Sequence, residues 1–255
     1  MAGKKKRKLS IIICVYNEAE TILQVLQRVH AVDFGEWDKE VIVVDNASTD
    51  GTRELLQTVD LDHTRIIYQP RNMGKGTSIR TAIANLTGDY AVIQDADLEY
   101  DPAEIPLLLA EAEKGAVAVF GSRTLGGRAV YEYAHAYVGV RVITAIMNFL
   151  FGGNLTDAAT ATKMVRADVL KALNLIGSGF DLDFELPDKL LLAGYQIAEV
   201  PITYRPRTYE EGKKITVIDG LKVFFIMARD RLGLSPVWKK GVERPPIPAR
   251  GESQP

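Results

Sequence analysis

The chain has 255 residues, 47% of them hydrophobic, with 31 Lys and Arg against 33 Asp and Glu for a formal net charge of −2. A single cysteine excludes a disulfide framework, and three scattered histidines, His30, His63 and His135, exclude the spacing of a zinc site. Length and apolar content suit one large α/β domain or two small ones.

Five positive charges, Lys4, Lys5, Lys6, Arg7 and Lys8, fall in the first eight residues, leaving 26 basic against 33 acidic residues, or −7, for the rest. No apolar h-region follows except the first strand, so residues 1–8 are a basic arm and not a signal peptide. Such an arm favours anionic lipid head groups or serves as a disordered solubilising segment. Residues 9–15 are a continuous apolar run, a buried strand that contains Cys14 and ends at Tyr16-Asn17-Glu18. A lone cysteine there fits a reducing cytoplasm. Residues 19–32 have helical period, with Ile22, Leu23, Val25, Leu26 and Val29 on one side. A second strand over 40–44 leads into a polar turn over 45–52, followed by a short helix over 52–59 and a third strand over 65–68. The loop 72–76 opens a helix over 77–86, and residues 90–94 and 117–120 are the fourth and fifth strands. This alternation predicts an α/β fold, a doubly wound and mostly parallel sheet with helices on both faces. Ligands bind such sheets outside the carboxyl ends of the strands, where these polar clusters fall.

The second half differs. Residues 136–151 are apolar and helical, interrupted by Arg141, and residues 216–235 form an amphipathic helix edged by Lys222, Arg229 and Arg231. Neither holds the ~18 uninterrupted apolar residues a membrane span needs. Each is suited to lie in a lipid interface, or to pack on the sheet or a dimer partner. The last segment, 236–255, is rich in proline and is expected to be a disordered tail.

The chemistry concentrates in "GDYAVIQDADLEYDP". Asp95 and Asp97 stand two apart where an apolar strand leaves the sheet, so both carboxylates point the same way. That is unfavourable for like charges unless a cation lies between them, and Mg²⁺ or Mn²⁺ with a bridging phosphate would supply one. A solvated turn before Pro102 is the alternative. Asn72-Met73-Gly74-Lys75-Gly76 is not a P-loop, because position 69 holds Gln where that pattern requires Gly. No G-x-G-x-x-G follows the first strand, which argues against a dinucleotide fold.

"VYNE", "VVDNASTDGT", "NMGKG", "DADLE" and "GSR", in this order, resemble family 2 glycosyltransferases with a GT-A fold. The later "GFDLDFEL", "EVPITYRPR" and "EGKKI" are most similar to polyprenyl-phosphate glycosyltransferases of the dolichyl-phosphate mannose synthase type. The resemblance covers residues 9–215, taken as the catalytic domain, and follows the peripheral members without a transmembrane pair. It implies inverting transfer of a sugar from a GDP- or UDP-sugar to a polyprenyl phosphate at the cytoplasmic membrane face. Implied partners are the nucleotide sugar, the lipid phosphate and the membrane surface, with no nucleic acid, and homo-oligomerisation is left open. It places the nucleotide against Tyr16, Asn17, Glu18, Asp45, Lys75, Asp95 and Ala96, and the metal on Asp95, Asp97 and Glu99. Asp97, Arg123, Arg207 and Lys214 become the catalytic set, the cations gripping the acceptor phosphate. Two other readings stay open. One is transfer to a polysaccharide or protein hydroxyl with Asp157 or Glu185 as base, and the other is a non-catalytic scaffold subunit.

Overall fold

The computed structural model describes residues 6–125, 134–207 and 217–247, with side chains from 137 and 222 in the last two segments. Seven strands, β1 (Lys8–Val15), β2 (Asp38–Asp45), β3 (Thr64–Tyr68), β4 (Tyr90–Asp95), β5 (Ala118–Ser122), β6 (Lys163–Arg166) and β7 (Ile197–Pro201), form one sheet in the order β3-β2-β1-β4-β6-β5-β7. All pairings are parallel except those of β6, which runs antiparallel to both β4 and β5. The helices are α1 (Ile22–Ala31), α2 (Thr52–Gln57), α3 (Lys75–Asn85), α4 (Ile105–Glu113), α5 (Ala134–Phe151), α6 (Ala167–Ala172), α7 (Leu182–Leu192) and α8 (Val217–Arg231).

The predicted mostly parallel, doubly wound sheet is present, and side-chain alternation explains its two faces. Along β1, Leu9, Ile11, Ile13 and Val15 join one core with α1 and α4, while Ile12 joins the other beneath α3, α6 and α7. Each fully buried Ile or Leu contributes about 1.5–3 kcal/mol, which fixes the register against a one-residue slip. The chain departs from β1 toward β2 on one side and β4 on the other. That reversal opens a crevice at the carboxyl ends of β1 and β4.

Two expectations change. Residues 236–247 are not a loose tail: Leu173 and Trp238 pair as an isolated bridge, Tyr195 Oη donates to the Pro245 carbonyl, and Trp238 stacks edge-on to Tyr195. Proline content predicted disorder, but the aromatic pair supplies the apolar contact that proline counts ignore. Residues 248–255 and most of the basic arm, 1–5, lie outside the described residues. Helices α5 and α8 pack on α7 and each other by one face, burying Met147, Val223 and Met227. Their other faces leave Phe149 87% and Phe225 72% exposed. Arg229, expected at an exposed edge, instead turns inward to Glu185 and Asp230, because those buried carboxylates require a cation. Among the described residues no helix is long and apolar enough to cross a membrane.

Candidate active site

The ends of β1 and β4 open into a cavity of about 320 Å³. Tyr16 and Glu18 reach it from β1, Asp95, Ala96 and Asp97 from β4, Lys75 from the start of α3, and Asp183 from α7. The strand exits are tightly turned: Asn17, Ala47 and Leu98 all have positive φ. Such strain in non-glycine residues persists only where neighbours hold it. Asn17 is held by its N–H on Ser48 Oγ at 3.0 Å and by its Oδ1, which accepts from Thr49 N at 2.9 Å. The turn at Leu98 lets Glu99 N–H reach Asp97 Oδ1 at 3.1 Å.

Lys75 is the pivot of the cavity. Its ammonium lies 3.0 Å from Asp95 and 3.2 Å from Asp183, with the Phe180 ring 5.6 Å away. Burial disfavours its charge, but Asp183 and Asp95 outweigh that and hold the ammonium well above its usual range. This arrangement explains the glycines on either side. A Cβ on Gly76 would stand 2.7 Å from the Gly177 carbonyl oxygen, and one on Gly74 would strike the Ser178 carbonyl. They let α3 approach the 177–179 loop that leads into α7. Gly76→Ala is therefore expected to cost about 2 kcal/mol or more, measured by thermal denaturation.

Arg207 grips Glu18 through two bonds of 2.9 and 3.1 Å and reaches Asp97 Oδ2 at 3.1 Å. Arg123 lines the cavity over the Tyr204 ring and holds Asp157 in a two-point pair of 2.6 and 2.8 Å. Both arginines thus line the cavity in ion pairs with acids from distant segments, part-buried Glu18 and Asp97 for Arg207 and fully buried Asp157 for Arg123. Lys214 lies outside the described residues.

Other assignments shift too. Asp45 is fully buried and absent from the cavity wall; it accepts Ser48 N–H at 3.0 Å and pairs with Arg53 at 2.6 Å. Its neighbour Asn46 takes the wall position, tied to Asn72 and to Met73 N–H. Asn17 braces the adjoining loop instead of lining the cavity. Glu99 lines it, but its two oxygens accept from Tyr204 Oη at 3.0 Å and Arg207 N–H at 2.8 Å, so it anchors the segment after β7. Of the proposed bases, Asp157 is committed to Arg123. Glu185 is buried against Lys189, Arg229 and two backbone N–H groups. The acid that sequence reasoning passed over is Asp183, within "GFDLDFEL", whose Oδ1 is buried without a hydrogen-bond partner. Cys14 also lines the wall, but burial pushes its thiol up and leaves it a poor nucleophile.

Five carboxylates, Glu18, Asp95, Asp97, Glu99 and Asp183, share the wall with three cations, Lys75, Arg123 and Arg207. The excess appears in Asp97, whose carboxyl burial and the charges of Asp95 and Glu99 push up to about 7. Hard oxygen donors with surplus negative charge fit Mg²⁺ or Mn²⁺. Among the described residues no group of three or more acidic, His or Cys side chains forms a complete cage. An ion there would be held by Asp95 and Asp97 and would take its remaining ligands from substrate phosphates.

The model of the family described as "Glycosyl transferase family 2" matches residues 10–173. Similar proteins include a low-salt glycan biosynthesis hexosyltransferase of Haloferax volcanii, 29% identical over 206 residues, 79% of this chain and 49% of the relative. Another is the undecaprenyl-phosphate 4-deoxy-4-formamido-L-arabinose transferase of Proteus mirabilis, 29% identical over 174 residues, 67% of this chain and 52% of the relative. The chain thus spans about half the length of these curated relatives. Among solved structures, glucosyl-3-phosphoglycerate synthase of Mycobacterium tuberculosis with Mn²⁺, UDP and phosphoglyceric acid superposes with a TM-score of 0.66 at 19% identity. It covers 92% of this chain and 81% of that one, and at this identity the likeness concerns the GT-A-like fold. With well over half of its length inside the family match, on a sheet of this architecture, the chain belongs to glycosyl transferase family 2.

Proposed function

We propose that the chain is an inverting glycosyltransferase that moves a sugar from a GDP- or UDP-sugar to a polyprenyl phosphate, using Mg²⁺ or Mn²⁺. The observation that carries this reading is the Asp95/Asp97 pair at the mouth of the β1/β4 crevice, inside a wall with two more carboxylates than cations. When bound, the ion neutralises the leaving diphosphate as a Lewis acid. Asp95 and Asp97 would hold that ion, and Tyr16 and Asn46, which line the same cavity, would border the nucleotide. Lys75 beside Asp95 and Arg207 beside Asp97 put two cations within reach of phosphate oxygens at that pair. The acceptor phosphate is already an anion at neutral pH, so its oxygen attacks the anomeric carbon without a base as the bond to the diphosphate breaks. Arg123 and Arg207 hold that acceptor beside an equally negative donor. The name of one relative, an undecaprenyl-phosphate 4-deoxy-4-formamido-L-arabinose transferase, supports this acceptor class. The exposed apolar faces of α5 and α8 would meet the cytoplasmic membrane surface, keeping the lipid within reach.

One observation favours a second reading, transfer to a hydroxyl: Asp183 projects an unpartnered carboxylate oxygen beside the cavity and could take the proton. The two separate by acceptor. With a radiolabelled sugar nucleotide and Mn²⁺, polyprenyl phosphate should yield an acid-labile glycolipid, at a rate that Asp183→Asn lowers less than ten-fold. Product from a dephosphorylated polyprenol or a free glycan at equal rate, abolished by Asp183→Asn, would establish the hydroxyl reading instead.

A further inference from the structure

Helix α3 carries Lys75 into the active site at its first turn, and a second cavity of about 460 Å³ lies along its other side. This cavity runs between α3, α6 and the C-terminal segment that bears Lys239. Its floor is apolar, built from Leu170, Leu173 and Leu175, and its rim presents Arg80 and Lys239. Among the described residues the Arg80 side chain makes one long bond, from an Nη to Thr77 Oγ1 at 3.4 Å, and its buried Nε has no acceptor. Among the described residues the Lys239 ammonium donates only to the Lys171 carbonyl, at 2.7 Å, and burial and the Arg80 charge together lower its affinity for the proton. Two further bases lie on the same elements or beside them: Lys171 donates to the Leu86 carbonyl and Arg65 to Asn85 Oδ1. None of these four residues forms an ion pair with a carboxylate among the described residues. A cavity that places two repelling cations above an apolar floor is complementary to an anion joined to an apolar body.

We propose that this cavity is a second ligand site for a phosphate monoester, its oxyanion seated between Arg80 and Lys239 and its apolar portion on Leu170, Leu173 and Leu175. Arg presents a planar fork to the oxyanion, and Thr77 and Thr81 flank it from the same helix face. Occupancy fastens residues 236–247 onto the helix whose first turn holds Lys75, so the ligand steadies the C-terminal segment from outside the reaction site. The proposal stands independently of the sugar acceptor, because no residue of this cavity lines the first one.

The test titrates the full chain with inorganic phosphate, with dihexanoyl phosphatidic acid below its micellar concentration, and with dihexanoyl phosphatidylcholine as the neutral-head-group control. Amide shifts are followed by NMR. The two phosphates should move signals of Thr81, Leu173 and Lys239, and the phosphatidylcholine should not. Lys239→Gln, at an exposed position, and Arg80→Gln should each weaken that response about ten-fold or more while the ligand-free spectrum stays folded. Tighter binding of phosphatidic acid than of inorganic phosphate identifies a lipid source, and equal binding a free phosphate. Shifts confined to Lys75 and Ala96, or affinities unchanged in both variants, overturn the proposal.

Discussion

Asp97→Asn is expected to lower sugar transfer by about 10³-fold, on the order of 4 kcal/mol of transition-state stabilisation, while the protein stays folded. Asp97 stands at a strand exit and contributes no apolar core contact, so the loss falls on metal and donor binding. Its carboxyl titrates near 7 against 3.8 for the ordinary side chain, because burial and then Asp95 and Glu99 disfavour the anion. With the folded value above the unfolded one, this group's contribution to stability is complete below about pH 4. It is lost progressively as pH rises to about 7 and stays lost above. Without divalent ions the variant should therefore match or exceed the parent in thermal stability at pH 8, though it is inactive. Added Mn²⁺ should stabilise the parent and leave the variant nearly unmoved. Transfer within ten-fold of the parent in the presence of EDTA would rule out the metal-bridged diphosphate.

Asp157→Ala is expected to remove about 3–5 kcal/mol of folding stability, enough to lower the melting temperature by roughly 10 °C for a chain of this size. Asp157 is fully buried and Arg123 is 7% exposed. The carboxylate accepts the Arg123 backbone N–H at 3.0 Å as well as two guanidinium bonds. Removing it strands a charge in a medium where water cannot compensate. Replacing both partners, as Arg123→Met with Asp157→Leu, should recover most of the lost stability, since an apolar pair carries no desolvation penalty. The double variant should remain inactive, because Arg123 faces the cavity over Tyr204. Chemical denaturation and transfer assays on the three proteins check this. A single variant within 1 kcal/mol of the parent would show that the pair contributes nothing net.

The parts legible in the sequence were those encoded locally. β1, β2 and β4 are unbroken apolar runs, and Asp95-Ala-Asp97 carries its geometry in a two-residue spacing. β6 escaped notice because four residues, Lys-Met-Val-Arg, show neither a run nor an alternation, and its Lys163 is buried with its ammonium turned to the Thr160 carbonyl. At the end of β2, spacing could not tell whether Asp45 or Asn46 would face the ligand. Arg53, in the first turn of α2, decides it by drawing Asp45 inward. Arg123 and Arg207 do line one cavity, yet their partners were invisible: Glu18 and Arg207 are 189 positions apart. Asp183 was hidden for the same reason, since it meets Lys75 only where two glycines allow distant loops to touch.

The antiparallel β6 also dictates the order in which the sheet can close. Strands β3, β2, β1 and β4 have all their mutual partners by residue 95, so this half can assemble as the chain emerges. β5 comes next but pairs only with β6 and β7, and the free side of β4 likewise waits for residues 163–166. During synthesis, then, the strand that bears Asp95 presents an unpaired edge while about 70 further residues are made. Unpaired edges invite pairing with other chains. The wedge that completes the sheet is short and carries a buried lysine whose charge burial disfavours, titrating near 8. Loss of β6 pairing would thus show itself first as aggregation of nascent chains, before any defect in the finished enzyme.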